Sequence, residues 1–512
     1  MTASDRTDRA APPRLGRATL HRLPHECRPA VDPDALRTRV VHFGLGAFHR
    51  AHQAVWTEQA AARSGEPWGI TAVAPRSPAA AGALREQDLL YSFTERRPDG
   101  AATRVVAALT GALVMTEDAA RVDALLADPE VTVVTLTVTE KGYHRLAGRD
   151  PREGSVLDRA APAIAADLER TAAGAGAGIG GRGRGGIGSP VGRLSTVVGR
   201  LAAGLAARMR SGAAPLTVVS CDNMADNGAV LGAAVRDFIA ASGWPDRRTV
   251  LDRMATAVAF PGTVVDRIVP ATTDTDLARA AMALGQRDTA AVTGEPYRSW
   301  VLEDSFAAPR PPWELDGALF VPDTTPYQLT KLRLLNGCHS ALAYLGSATG
   351  RTTVAEALDT DWGAPLVRGL CAELAPTLPP GGPDPVAYAA ELVTRFRNPA
   401  MDHQLRQIAT DGSLKLPERW LPALRTLRAA GTPTPLLEVA LAGWVYATRP
   451  DRQAADPAAE ILADCWRAHP EPTGTVRALL TALGAADLAD DTALTGAVAA
   501  RLPALQSGRI EL

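Results

Sequence analysis

The sequence predicts an α/β protein, in which a doubly wound parallel sheet is followed by a mainly α-helical domain. Short strands rich in β-branched residues alternate with helical segments up to about residue 305, as in parallel sheets. The Pro-rich stretch 309–313 interrupts this pattern, and from residue 326 nearly every segment has helical spacing. A chain of 512 residues is long enough for two large domains. We predict three segments: a lead-in at 1–35, a first domain at 36–305 and a helical domain at 306–512.

The first strand runs directly into a glycine turn. Residues 39–43 form a short apolar run, followed by Gly44-Leu45-Gly46 and a helical segment. This order is typical of a Rossmann-type dinucleotide-binding domain, in which Gly44 permits the tight turn and Gly46 lets backbone N–H groups approach a pyrophosphate. His49 stands where a third glycine is usual. A phosphate-binding turn and a purely structural turn therefore remain as alternatives.

The second strand, residues 68–74, ends without an acidic residue. Proteins that bind NAD often carry Asp or Glu there, on the ribose hydroxyls. Here Pro75-Arg76-Ser77 follows. Arg76 is suited to stack on adenine or to meet a 2′-phosphate, and a solvated loop arginine is the alternative. The choice between NAD and NADP stays open.

Three further stretches carry polar residues at strand ends, where open α/β sheets place their sites. Residues 131–138 lead to Glu140, and residues 216–220 lead to Asp222 and Asn223, an amide suited to donate to an oxyanion. Turn or capping roles are the alternative for Asp222 and Asn223. The strand-like run 260–270 contains the adjacent pair Asp266 and Arg267. The Gly/Ala/Arg-rich stretch 171–188 is predicted to be a disordered surface loop.

The helical domain opens with a helix that carries an amine, an amide and an imidazole. At about 100° per residue, Asn336 lies roughly 140° and His339 roughly 80° around the helix from Lys331. An amphipathic helix with an extended surface lysine is the alternative to a site. Helical segments are predicted at 326–346, 353–358, 363–375, 385–396, 401–409, 418–429, 435–447, 456–468, 474–484 and 491–506.

Composition excludes several classes of function. The formal net charge is −2, so the basic balance of a nucleic-acid-binding protein is missing. We expect no membrane helix and no signal peptide, since no apolar run is long enough for either. We also expect no metal site, since no cluster of ligand residues has zinc spacing. Five scattered cysteines without a CxxC pair fit a reducing cytoplasm. We expect a monomer or a weak homo-oligomer that acts on a small molecule.

Four motifs together resemble the mannitol dehydrogenase family of long-chain polyol dehydrogenases, over about residues 38–505. They are Gly44 to His52, Ser220 to Asn223, Val265 to Pro270 and Lys331 to His339, with Cys338 where the family usually has Ser. The resemblance implies a metal-independent, NAD(P)-linked enzyme with a Rossmann-type domain and a helical domain. It further implies the following roles: Lys331 as general acid–base, Asn223 and Asn336 as amide donors to the reacting oxygen, His339 as a substrate-orienting residue, Gly44, Gly46, Ala47 and Phe48 at the cofactor pyrophosphate, and Asp266 beside the nicotinamide and substrate.

Within the family, the stretch 398–417 looks closer to fructuronate reductases than to mannitol 2-dehydrogenases, which tend to have Arg where Gln407 stands. We therefore expect interconversion of D-fructuronate and D-mannonate with NAD(H), and mannitol–fructose interconversion as the alternative. A sugar acid needs a cation for its carboxylate, and Lys415 or Arg406 would supply it, with a solvated charge on a helix as the alternative for both. A non-catalytic nucleotide-binding paralogue is the alternative from another class.

One departure concerns proton transfer. Many family members have Glu three residues before the catalytic Lys, and this chain has Gln328. A neutral amide cannot relay a proton in the same way, so we take Glu140 as the candidate substitute.

Overall fold

The chain folds into two compact units, Met1–Thr324 and Thr325–Leu512. We describe a computed structural model over residues 12–146, 148–152, 154–176, 194–452 and 454–512.

The first unit contains a six-stranded, wholly parallel sheet of order β5-β2-β1-β6-β7-β8. Two smaller sheets have the orders β10-β3-β4 and β12-β11-β9. The predicted doubly wound parallel sheet is thus confirmed. The strands are β1 Arg37–Phe43, β2 Trp68–Ala74, β3 Tyr91–Arg97, β4 Gly100–Val106, β5 Leu109–Val114, β6 Val133–Leu136, β7 Leu216–Ser220, β8 Val258–Ala259, β9 Thr263–Asp266, β10 Val292–Gly294, β11 Ser299–Glu303 and β12 Leu319–Val321.

The chain order of these strands creates a switch point at β1. After β1 the chain adds β2 and then β5 on one side, and it crosses back to add β6 on the other side of β1. Open α/β sheets bind ligands at such a point, beyond the carboxyl ends of the strands. The helices of this unit are Ala47–Ala51, Gln53–Ser64, Pro78–Arg85, Ala119–Ala127, Pro162–Gly176, Val197–Arg210, Asn227–Ala241, Arg247–Ala257 and Asp274–Leu284, with 3₁₀ turns at Arg17–Arg22, His25–Cys27, Glu140–Tyr143 and Trp313–Asp316.

The unit boundary lies after Thr324 rather than at residue 305. β12 pairs with β11, which keeps residues 319–321 in the first unit. Trp313 is fully buried there, 4.4 Å from Trp300 between ring centroids, and its Nε1 donates to Thr57. The prolines that mark this stretch in the sequence therefore cross the surface of the first unit and do not end it.

The lead-in and the Gly-rich stretch also differ from expectation. Within residues 12–35, Leu15, Leu23 and Cys27 are buried against the first unit. Residues 171–176 continue the helix Pro162–Gly176 and are not a disordered loop. The rest of the predicted loop, 177–188, lies outside the described residues, as do residues 1–11.

The second unit is mainly helical, as the spacing predicted, and its described residues form one isolated β-bridge, between Thr353 and Gln404. The predicted helix 326–346 is divided into three parts, with the π-helical segment Lys331–Asn336 in the middle. The prediction did not include Gly412–Arg419 as a helix. The helices are Thr325–Thr330, Lys331–Asn336, Gly337–Ala348, Val354–Leu358, Gly363–Leu374, Pro385–Phe396, Leu405–Ile408, Gly412–Arg419, Leu421–Ala429, Pro435–Ala447, Ala459–Ala468, Pro472–Ala482, Ala486–Ala489 and Thr492–Gln506, with 3₁₀ turns at Ala375–Thr377 and Pro399–Met401.

Within the described ranges, no helix combines the length and the apolar character needed to cross a membrane. In the same residues, no three His, Cys, Asp or Glu side chains converge as metal ligands would. All five cysteines are free.

We predict that Trp313→Ala destabilises the first unit by about 3–5 kcal/mol, because it removes a fully buried indole and leaves a cavity. Differential scanning calorimetry would measure the change. Leu315→Ala, in the same 3₁₀ turn but with its side chain 45% exposed, is the matched control and should change stability by less than about 0.5 kcal/mol. Equal effects of the two substitutions would contradict the assignment of this stretch to the first unit's core.

Candidate functional site

The glycine turn after β1 has a conformation that requires glycine at its first position. Gly44 has a φ of +118°, and a Cβ there would lie 2.1 Å from the carbonyl oxygen of Thr137. The Gly44 N–H donates to Val73 on β2, and its carbonyl accepts from the Thr137 hydroxyl at 3.1 Å. The turn is therefore held between the ends of β2 and β6, at the switch point.

Gly46 serves a different purpose, because a Cβ at this position would meet no atom within 4 Å. Gly46 is the N-cap of the helix Ala47–Ala51 and faces a cavity of about 340 Å³. The cavity is lined by Gly44, Leu45, Gly46, Ala74, Pro75, Arg76, Ser77, Ala80, Thr137, Val138, Thr139, Gly142, His144, Ser195, Thr196 and Val197. Backbone at a helix start and open space beside a glycine fit the pyrophosphate of a dinucleotide.

The charged side chain that lines this cavity is that of Arg76. Arg76 lines it and is exposed, and the described lining residues include no carboxylate. His144 also lines the cavity, and burial, followed by the positive charge of Arg76, lowers its pKa. The cavity therefore presents a guanidinium and hydroxyl groups to a ligand, which suits an anionic one.

Three residues that the resemblance implies at the cofactor are not among those lining the cavity. Ala47 and Phe48 lie on the first turn of the helix after Gly46, and Phe48 stacks on His52 with 5.0 Å between centroids. Asp266 ends β9 in a separate small sheet, is 8% exposed, and its charge acts on the buried ring of His52. Arg267 forms its ion pair with Glu95.

Asn223 follows β7 and is exposed. The preceding residue, Asp222, holds the backbone of the loop that follows β6. The Asp222 carboxylate accepts from the backbone N–H of Thr139 at 2.8 Å and of Val138 at 3.1 Å, and from the Tyr143 hydroxyl at 2.6 Å. Burial raises the pKa of Asp222 despite these bonds. Asp222 thus joins the ends of β6 and β7, a role more specific than a turn or cap residue. Glu140, in the same loop, is exposed.

In the second unit, the opening helix departs from the α-helical spacing at the predicted catalytic residues. Lys331–Asn336 is a π-helical segment, here called the π turn, and the N–H of Gly337 donates to Leu332, five residues earlier. In this register residues five apart lie about one turn from each other, so Lys331 and Asn336 face more nearly the same way than the 100° spacing predicted. Such turns are frequent at functional sites.

His339 lies about one turn beyond, and its ring is buried. It is 7% exposed, stacks on Phe396 at 4.2 Å and meets His403 edge-on at 5.1 Å. Burial lowers its pKa well below the ordinary value, and the neighbouring His403, Arg395, Arg419 and Lys331 lower it further. Its Nε2 is buried and has no hydrogen-bond partner among the described residues. A buried ring nitrogen in this state is suited to bond a ligand hydroxyl.

The two residues predicted to bind a substrate carboxylate have different surroundings. Arg406 is exposed, on the short helix Leu405–Ile408. Lys415 is half-buried, and its Nζ donates to the carbonyls of Thr410 at 2.6 Å and Ile408 at 3.2 Å. Sequence reasoning missed Arg419, four residues after Lys415, which donates to the carbonyl of Asn336 and to the Ser340 hydroxyl. An i, i+4 pair of cations on one helix was the available signal.

The switch-point cavity in the first unit, and the amine and amide on one helix of the second, are features of two-domain oxidoreductases with a Rossmann-type domain. Comparison with known proteins gives the family. A model of the mannitol dehydrogenase Rossmann domain matches residues 38–315, and a model of the mannitol dehydrogenase C-terminal domain matches residues 323–506. The chain belongs to the mannitol dehydrogenase family and is an oxidoreductase.

Three relatives illustrate the likeness. The D-mannonate oxidoreductase of Escherichia coli is 36% identical over 495 residues, covering 92% of this chain and 94% of the relative. A mannitol 2-dehydrogenase of Pyrenophora tritici-repentis is 34% identical, covering 86% of this chain and 75% of the relative. The structure of Pseudomonas fluorescens mannitol 2-dehydrogenase, a ternary complex with NAD and D-mannitol, is 30% identical with a TM-score of 0.78, covering 97% of this chain and 98% of that chain.

We predict that Gly46→Val weakens dinucleotide binding by about 100-fold or more while the fold is retained, because the new side chain enters the cavity and meets no protein atom near its Cβ. Calorimetric titration with NADH and NADPH would measure it. Gly82→Val, also with open space at its Cβ but outside the cavity lining, is the control. Unchanged affinity in Gly46→Val would show that the dinucleotide binds elsewhere.

Proposed function

We propose that this chain is a metal-independent, NAD-dependent enzyme that interconverts D-fructuronate and D-mannonate. The observation that carries the proposal is the π turn, which draws the amine of Lys331 and the amide of Asn336 toward one face next to the neutral ring of His339. The nicotinamide, when bound, supplies or accepts the hydride. The protein's part is to bind the substrate and to hold or move a proton at the reacting oxygen.

Lys331 is the proposed general acid–base. The chain has three lysines, at 141, 331 and 415, against 51 arginines, from 54 basic residues in total. A guanidinium stays protonated at every working pH, whereas the pKa of an amine responds to its surroundings, so proton transfer at this position requires Lys. The presence of Lys at 331, in a chain with only three lysines, supports this role.

Asn336 and Asn223 are the proposed amide donors to the reacting oxygen, and His339 orients the substrate. Fixed amide donors stabilise the negative charge that develops on this oxygen when hydride leaves or arrives. His339 bonds a substrate hydroxyl through its unpartnered Nε2. Asp266, by the family resemblance, lies beside the nicotinamide and substrate.

The second candidate function is mannitol–fructose interconversion. It is supported by relatives that carry the name mannitol 2-dehydrogenase at an identity similar to that of the D-mannonate oxidoreductase. NADP is the second candidate coenzyme, because Arg76 and no described carboxylate line the cavity. A substrate panel of D-fructuronate, D-fructose, D-mannonate and mannitol with both coenzymes distinguishes these candidates.

We predict that Lys331→Met lowers kcat by about 10²–10⁴-fold, the usual contribution of a positioned acid–base group, and leaves the affinity for coenzyme unchanged. Steady-state kinetics and calorimetric titration with NADH measure the two quantities. The matched control is Lys141→Met, an exposed lysine in a 3₁₀ turn of the first unit.

Retained turnover in Lys331→Met would remove Lys331 from the acid–base role. Binding of coenzyme by the wild-type chain, with no turnover across the panel, would instead favour a non-catalytic nucleotide-binding paralogue.

Glu140 is the proposed route for proton exchange, in place of the Glu that Gln328 replaces. We predict that Glu140→Gln shifts the acidic limb of the pH–rate profile and lowers the limiting rate, since the amide cannot carry a proton. Glu130→Gln, at another exposed carboxylate of the first unit, is the control. A profile identical to that of the wild type would exclude Glu140.

A further inference from the structure

Arg419 is a partly buried cation whose described partners are neutral. It ends the helix Gly412–Arg419, and its Nη1 donates to the carbonyl of Asn336 at 3.2 Å and to the Ser340 Oγ at 2.7 Å. In the part of the chain that the structure describes, no carboxylate lies within ion-pair distance of it, although the negative charge of the adjacent Glu418 acts on it. A cation withdrawn from water without a counterion is costly, and such groups are usually paired or used.

Lys415 makes the same region more positive. It lies one helical turn before Arg419, and its Nζ donates to backbone carbonyls. Burial, followed by the charge of Arg419, lowers the pKa of Lys415, although Asp411 and Asp456 act in the opposite direction. The Asp456 carboxylate accepts hydrogen bonds from Ser413 and forms no described ion pair with Arg419.

The geometry leaves one edge of the guanidinium available. Both described bonds of Arg419 use Nη1, and its Nε and Nη2 have no partner among the described residues. Neither atom is sealed from solvent, since neither is among the fully buried polar atoms that lack a partner. Two parallel N–H groups on one edge match the two oxygens of a carboxylate.

This edge lies next to the residues proposed for catalysis. Arg419 contacts the backbone of Asn336 at the end of the π turn, and its charge acts on the ring of His339. Arg395, which is 8% exposed, adds a further positive charge to the same surroundings. The anionic end of a ligand that binds Asn336 and His339 would therefore lie near these positively charged side chains.

We propose that Arg419 binds the carboxylate of the substrate, so that this chain selects sugar acids over uncharged polyols. The inference rests on the proposed function and names a specificity-determining residue for it. It places the carboxylate at Arg419, with Lys415 behind it, and not at the exposed Arg406.

The test compares Arg419→Met and Arg419→Lys on D-fructuronate and on D-fructose, with the same coenzyme. For Arg419→Met we expect kcat/KM to fall about 100-fold on D-fructuronate, as for loss of charge-assisted hydrogen bonds, and less than about threefold on D-fructose. Arg419→Lys should recover part of the loss, since it keeps the charge without the planar pair of donors. Arg425→Met removes a partly exposed arginine that pairs with Asp487 and should leave both values unchanged.

Equal losses on the two substrates would reduce Arg419 to a positioning residue for Asn336, and no loss on either would remove it from the site. Both results overturn the proposal. If the wild type reduces no sugar acid, the proposed function fails by itself. Calorimetry of the NADH-bound enzyme then compares D-gluconate with D-glucitol: tighter binding of D-gluconate that is lost in Arg419→Met supports the carboxylate site, and equal binding overturns it.

Discussion

Two hydrogen bonds to the end of the π turn are the constraint on which the polar face of the second unit depends. Arg419 donates to the carbonyl of Asn336, and Trp420 donates through Nε1 to the carbonyl of Gly337 at 3.3 Å. The indole also lies 3.2 Å from the position that a Cβ at Gly337 would take, so no larger residue fits there without displacing it. Two consecutive residues at the end of another helix thus support the backbone where the register changes. The direction of the Asn336 side chain follows from that backbone.

The first unit uses the same kind of support at the ends of its strands. Gly44 is held by Val73 and Thr137, and Asp222 binds the backbone that follows β6. Parallel strands leave their carboxyl ends at one edge, where each loop needs partners for its polar backbone groups. Because those partners belong to neighbouring strands and to the loops that follow them, the turn around Gly46 is preorganised, and little ordering remains when a ligand binds.

The sequence was sufficient for features with a strong local pattern and insufficient for those that depend on distant contacts. β2 and β7 lie at the predicted residues 68–74 and 216–220, because their apolar, β-branched runs are decisive over a short window. The π turn was missed because the 100° spacing assumes one helical register throughout. Trp313 was placed at a boundary on account of its prolines, since nothing local shows that its ring packs against Trp300.

The site residues that could be proposed from the sequence also differ from those that could not by whether a local motif marks them. A motif identifies a residue by its neighbours along the chain, so Lys331 could be proposed from sequence, whereas Arg419 carries no motif and is recognised only by what it touches. The carboxylate-binding cation was sought at Lys415 and Arg406 because both lie in the stretch that resembles fructuronate reductases. Of these two, Lys415 has its amine directed to backbone carbonyls and Arg406 is exposed, whereas Arg419 keeps an unused pair of N–H donors next to Asn336. Arg419 is therefore the side chain best suited to bind the carboxylate of the proposed substrate. It also supports the π turn, on which the proposed chemistry depends.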